Sequence, residues 1–323
     1  MYRPPFRGPS SRDLMLKPGY RKNILPSTTA IPPKLTLPSP TQQQLLPSIQ
    51  EPIEENPVQP FPFASTFLYT EAQLKLSPSF RKHKIKAEEE MILRRVGTCF
   101  IKQLSSRINA KFPQQKISAR ATCMAMVYFH RFYMYHSLAT FLPIEMATTC
   151  LFLAAKVENC PKRVACFSDY YFRLTHDDDR LESHEYEIVN ELIQAYETKL
   201  LQTLVFEFRI ELPHIVIINS TFHSESDLLK KIAWSFSTDM LAFTTLCLQY
   251  DKNALAAAAF YIAGAYLKIN MKKQYGEKWL QSIAAEMTED ILKEIVDIFL
   301  KALTDMKVII QSKKYELEEG EIL

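Results

Sequence analysis

The residues of this 323-residue chain that could do chemistry fall into a few groups, and each can be tested by its neighbours. Asp177-Asp178-Asp179 offers adjacent carboxylates of the kind that hold a divalent cation. A helical metal site needs carboxylates one turn apart facing a pocket, but position 181 is Leu, and acids just before a helix starting near Ser183 suit its N-terminal dipole. The seven histidines are scattered, and His130 lies in an apolar segment where a buried structural imidazole is the expected role. The six cysteines lie mostly in apolar segments with no Cys-x-x-Cys pair, which argues against a zinc or disulfide framework and fits a reducing compartment. There is no glycine-rich phosphate loop, no His-Glu-x-x-His and no Gly-x-Ser-x-Gly. No base, nucleophile or ligand set is assembled, no cofactor is implied, and the chain reads as a binding protein. What remains is a lone cation. Lys156 closes the apolar run Leu151 to Lys156, as a cap snorkelling to the C-terminal helix dipole or as a charged contact on an apolar ledge.

The elements that position Lys156 span Ala119 to Arg163. Met124, Val127, Tyr128, Arg131, Phe132 and Tyr135 recur at steps of three and four, marking a helix buried on most sides. A second helix begins at Pro143, whose missing N–H costs nothing there. It sets Ala147, Cys150, Ala154 and Ala155 among Leu151, Phe152 and Leu153, so that a neighbouring helix can approach closely.

The rest of the chain builds around this pair. Residues 1–62 hold fourteen of the nineteen prolines among Ser, Thr and Gln; proline at that density removes backbone donors and blocks helix propagation, so this is expected to be a disordered arm. Ser39-Pro40 and Ser77-Pro78 have the form of proline-directed phosphorylation sites. A short helix is expected after Thr70, ending at Ser77-Pro78, followed by an exposed basic run, Arg81, Lys82, His83, Lys84 and Lys86. Helices are then expected near 87–108, 117–136, 143–157, 164–173 and 183–204, and again near 213–223, 227–249, 252–269, 275–285 and 288–305. Cys150 to Lys156 can be laid over Ala259 to Ala265, which implies an internal repeat of about 109 residues. At the position of Lys156 the second copy has Ala265, so the first repeat alone carries the charge. Only six glycines and 47% hydrophobic residues agree with a helical body. The net charge of +3 demands neither a nucleic-acid nor a membrane partner, and no charged-then-apolar leader or membrane-length apolar run is present, so a soluble intracellular protein is expected.

Three motifs in order, HRFYM at His130–Met134, LFLAAKVE at Leu151–Glu158 and Pro161-Lys162-Arg163, resemble the cyclin box in its transcriptional branch, the cyclin T and cyclin K group. The likeness extends over roughly Phe67 to Leu303, with FLYTEAQLKLSPS similar to the segment before the box and Glu197–Phe208 similar to the fifth helix. It implies an all-α fold of two tandem five-helix cyclin-box repeats. It also implies a cyclin-dependent kinase of the transcription-elongation class as partner, action on the RNA polymerase II C-terminal repeats and a place in the nucleus. In such proteins a lysine ending helix three and a glutamate in helix five hydrogen-bond the kinase. They match Lys156 and Glu197, with Phe152 as an apolar contact and Glu158 and Asn159 completing the kinase-facing set.

Departures limit what carries over. The usual Lys-Val-Glu-Glu ends here in Asn159, and the substrate-docking Met-Arg-Ala-Ile-Leu of cell-cycle cyclins corresponds to Leu93-Arg94-Arg95-Val96-Gly97. His130 replaces the Asp that precedes Arg-Phe in those cyclins, so Arg94 needs another partner, and the group's paired tryptophans reduce to Trp279. The expected organisation is an arm over 1–62, cyclin boxes over 63–207 and 208–306, and an acidic tail over 307–323. The rival readings are a kinase-independent helical adaptor, a degenerate cyclin, and a TFIIB-like factor, the last of which would want a zinc ribbon and more positive charge.

Overall fold

The computed structural model describes residues 67–175, 183–222 and 227–320, without the side chains of 183–184 and 307–320. The proline-rich arm, Ser39-Pro40 and the Asp177 cluster lie outside the described residues. Every regular element among those residues is a helix. Two short helices, α1 (Glu71–Lys75) and α2 (Pro78–His83), lead into α3 (Ala87–Lys111), α4 (Ala119–Phe132), α5 (Pro143–Val157), α6 (Val164–Thr175) and α7 (Ser183–Thr203). The second set is α8 (Pro213–Asn219), α9 (Leu228–Phe243), α10 (Lys252–Tyr266), the short α11 (Met271–Tyr275) and α12 (Trp279–Ile283), and α13 (Glu289–Gly320).

The repeat is visible in register. Leu228 and Lys252 open α9 and α10 109 positions after Ala119 and Pro143 open α4 and α5. Even the helix ends correspond, because Asn159 (φ 54°) and Lys268 (φ 59°) both take the left-handed conformation after the cap. The Cys160 N–H then reaches Ala155 O at 2.9 Å and the Ile269 N–H reaches Gly264 O at 2.8 Å. Both helices thus close in the same reverse-turn motif, which satisfies carbonyls the helix cannot. Each set has its own core, with the small-residue helix at its centre. In α5, Ala147, Cys150, Ala154 and Ala155 are fully buried, as are Ala256 to Ala259 of α10.

Several boundaries differ from the periodicity for local reasons. Ser77-Pro78 starts a helix where a stop was expected: Ser77 Oγ accepts the Phe80 N–H, and Pro78 occupies the first turn. The same hydroxyl donates to Glu90 and is 2% exposed, so Ser77 is not open to phosphorylation in the folded chain. The second helix of the second set stops at Phe243 and continues only as a 3-10 turn, Leu246–Leu248. Thr244 breaks it by bonding its own backbone, donating Oγ1–H to Met240 O and accepting the Leu246 N–H. Met271–Tyr275, expected largely as a break, forms α11, and Gly276, at φ 91°, interrupts the helix expected over 275–285, so that α12 begins only at Trp279. Finally, α13 runs on to Gly320 through the stretch expected as a tail, because no Gly or Pro interrupts its Lys, Glu and Leu.

The two sets are joined at the C-terminal end of α9. The carbonyls of Leu241, Ala242 and Phe243, which the helix itself leaves unpaired, accept from His130, Thr98 and Arg95 of the first set, with His130 Nε2 2.9 Å from Leu241 O and Arg95 Nε 3.0 Å from Phe243 O. Lys102 adds an ion pair to Asp239 at 3.0 Å. Arg94, which lacks the Asp of cell-cycle cyclins, finds Glu90 one turn back at 2.8 Å and donates to His130 O and Tyr133 O at the end of α4. Leu93 to Gly97 is therefore a structural seam. Arg94 and Arg95 are buried, and Gly97 lies so close to Phe129 that a Cβ would fall 2.1 Å from the ring.

His130 serves this seam only as the neutral imidazole. Burial, and then the charge of Arg94, push its pKa down to about 3, while its bond to Leu241 O opposes the shift weakly. The folded state therefore binds fewer protons than the unfolded chain from the ordinary histidine range down to about 3, and stability falls as the pH drops through that window. His130→Gln, which keeps a donor for Leu241 O, is expected to remove on the order of 1 kcal/mol of acid destabilisation per pH unit between about pH 6 and 4, read from urea midpoints. An unchanged slope would show that His130 is not held neutral.

Candidate partner-binding ledge

Lys156 leaves α5 in its last turn, just before the left-handed turn at Asn159 and the break at Pro161. The turn explains Asn159: a left-handed residue is tolerated by Asn better than by Glu. Facing α5 is α7, whose Val189, Ile193, Tyr196 and Leu200 turn inward at helical spacing and leave Glu197 at the rim. Lys156 Nζ donates to Glu197 Oε1 at 2.7 Å, bridging the two helices, with the lysine side chain 45% exposed and the glutamate 14%. The same ammonium stands 4.8 Å over the ring of Phe152, one turn earlier.

Phe152, Lys156 and Glu197 are thus brought together. Phe152 acts as a floor: it is 7% exposed and its ring meets Phe167 of α6 edge-on at 5.3 Å. The ammonium has three donors and gives one to Glu197, leaving two for a partner's carbonyl or carboxylate, while the second oxygen of Glu197 can accept an N–H. Such a pair fixes the register of an incoming helix or strand. The other two expected residues turn elsewhere. Glu158 caps α5 and pairs with Arg120 in the first turn of α4 at 3.1 Å, while Asn159 is exposed at the turn.

Two partners of this site had no signal in the sequence, because they are chosen by helix packing. Arg120 is one. The other is Glu145, in the first turn of α5, which accepts from the Tyr196 hydroxyl at 3.2 Å, the residue beside Glu197. Burial raises the Glu145 pKa to about 7, and the Tyr196 bond only partly opposes this. Among the described residues no cluster of His, Cys, Asp and Glu could hold a metal ion, and no helix is long and apolar enough to cross a membrane.

Comparison with known proteins places this fold. The family model described as "Cyclin, N-terminal domain" matches residues 69–209, and the one described as "Cyclin-T2-like, C-terminal domain" matches residues 212–302. The chain therefore belongs to the cyclin family, in its cyclin T and cyclin K group. It is similar to human Cyclin-K, 28% identical over 234 residues (66% of this chain, 37% of the relative), and to human Cyclin-T2, 29% over 251 residues (74% and 32%). Cyclin-T1.1 of Caenorhabditis elegans is 25% identical over 259 residues, covering 72% of this chain and 52% of the relative. The chain thus spans about half the length, or less, of these curated relatives. Among solved structures it shares its fold with a chain of the yeast RNA Pol II CTD kinase CTDK-1 complex, with a TM-score of 0.59 and 16% identity over 74% of this chain and 73% of that one.

Two measurements probe the ledge itself. Lys156→Ala removes a half-exposed pair and is expected to cost less than about 1 kcal/mol in urea unfolding; a loss above about 3 kcal/mol would make the pair part of the scaffold. For Glu145, a folded pKa above its ordinary value means the folded state binds the extra proton. Stability is therefore greatest below about pH 4.5 and is lost as the pH rises toward 7. Glu145→Gln is expected to match the wild type near pH 4.5 and to exceed it at pH 8 by up to about 3 kcal/mol. A gap that does not change with pH would contradict a buried, protonated Glu145.

Proposed function

We propose that this chain is the regulatory subunit of a cyclin-dependent kinase of the transcription-elongation class, which it binds through α5 and α7 of a first box over 63–207 and activates toward the RNA polymerase II C-terminal repeats in the nucleus. The observation that carries this reading is the Lys156–Glu197 pair beside the Phe152 ring, in a repeat whose copy has Ala265 where this one has Lys156. The likeness to Cyclin-K and Cyclin-T2 supports the class, and CTDK-1 is itself a polymerase C-terminal-domain kinase. Phe152, Lys156 and Glu197 would receive the kinase's regulatory helix, with Glu158 and Asn159 at the margin. The cyclin performs no chemistry. By binding the kinase with that helix turned inward it favours the state in which the ATP-site lysine–glutamate pair is complete, and its effect on rate cannot exceed its preference for that state.

Tagged protein purified from its native cells, beside a Lys156→Glu/Glu197→Lys variant, tests this. The wild type is expected to carry a kinase active on C-terminal repeat peptide, and the variant to lose both kinase and activity by at least about tenfold. A kinase bound without activity would identify a degenerate cyclin, and the absence of any kinase would favour the adaptor reading.

A further inference from the structure

Several surface cations of this protein are paired. Lys75, Arg120, Lys156, Arg173, Lys252 and Lys272 each hold a carboxylate. Others are not, and five of these lie where α2 and the end of α7 meet. Arg81 and Lys82 of α2, Lys84 and Lys86 just after it, and Lys199 on α7 are all exposed, and none forms an ion pair among the described residues. The nearest acids in sequence, Glu88 and Glu89, are exposed in the first turn of α3 and pair with none of them.

The fold joins these charges from two elements far apart in the chain. His83 Nδ1 lies 2.8 Å from Ser137 Oγ, and Ser79 Oγ accepts the Leu138 N–H at 3.1 Å, seating α2 on the loop after α4. On the same loop His136 Nε2 is 2.8 Å from Thr203 Oγ1 at the end of α7. His136 therefore feels both sides: burial first, then the charges of Lys199 and Lys82, hold its pKa down to about 3. Phe80, 41% exposed, stands among the cations with Lys84 Nζ 5.8 Å from its ring centroid, adding one apolar contact to the charged face.

A short row of cations with one exposed aromatic suits an extended peptide carrying phosphate groups, each able to take charge-assisted hydrogen bonds from Arg and Lys. Single-stranded nucleic acid is held by a longer groove with successive stacking aromatics, and here a single Phe is offered. We propose that Arg81, Lys82, Lys84, Lys86 and Lys199 form a docking surface for a multiply phosphorylated, extended peptide, namely the product of the kinase activity inferred above. The assignment of the peptide as product rests on that reading. Binding of this kind retains a partly phosphorylated substrate near the kinase and favours repeated modification of the same chain.

The test uses the full chain without kinase, so that its outcome does not depend on kinase binding. The probe is a synthetic polymerase C-terminal repeat peptide with four phosphoserines, followed by fluorescence anisotropy at low salt beside its unphosphorylated form. The phosphorylated peptide is expected to bind at least about tenfold more tightly and to weaken as salt rises. Lys82→Glu/Lys84→Glu/Lys199→Glu should lose at least about tenfold, while Lys156→Glu/Glu197→Lys should bind the peptide as the wild type does. Lys82→Gln, which disturbs no packing, should lose about two- to threefold if the triple variant does not fold. Equal affinity for both peptides, an unaffected triple variant, or tighter binding of an RNA oligonucleotide of the same charge would overturn the proposal. Loss of the kinase in native cells with peptide binding intact would strike the kinase reading and leave the phosphopeptide surface standing.

Discussion

The interaction on which the rest of the structure depends is the burial of the C-terminal end of α9 against the first repeat. A helix end taken out of water leaves carbonyls that must find donors, and each one left unpaired costs about 1–3 kcal/mol. Here the donors are His130, Thr98 and Arg95, so the last turn of α9 is stable only where the seam between α3 and α4 is correctly formed. The seam also requires Arg94, which closes the end of α4 and is balanced by Glu90. One set of buried polar groups thus orders the first repeat internally and binds the second to it. Such a network is costly when incomplete and rigid when complete.

That rigidity reaches the ledge through α4 and α5. The small residues of α5 let it lie close to its neighbours, which places its last turn, and with it Lys156, beside α7. The second repeat has the same helix, register and left-handed turn, yet ends in an exposed alanine where the first has its lysine. Two copies of one scaffold therefore differ at the position where a contact would be made. The duplicated half contributes the buried end of α9, and the first half contributes the polar pair.

Much of this was legible in the sequence, and the limits have physical causes. Helical periodicity, Pro143, the small residues of α5 and the alignment of Cys150–Lys156 with Ala259–Ala265 gave the all-α class and the repeat, since each is a local property of the chain. Resemblance to the cyclin T and cyclin K group marked Lys156 and Glu197, which the fold brings within hydrogen-bonding distance. What could not be read depended on packing. Glu145, Tyr196 and Arg120 are ordinary residues until helices distant in sequence bring them to the site. Local breaks were missed where a side chain competes with the backbone, as at Thr244, or where a serine that reads as a modification site is a buried cap, as at Ser77.

The central claim is that α5 and α7 of the first repeat are the face that meets a kinase. The most direct measurement is backbone hydrogen exchange of the full chain, alone and saturated with the kinase it co-purifies with. The account predicts new protection in the last two turns of α5 and along α7 around Glu197, with α10 unchanged at the equivalent position. Protection confined to α10 and α13, or none in the first repeat, would contradict it.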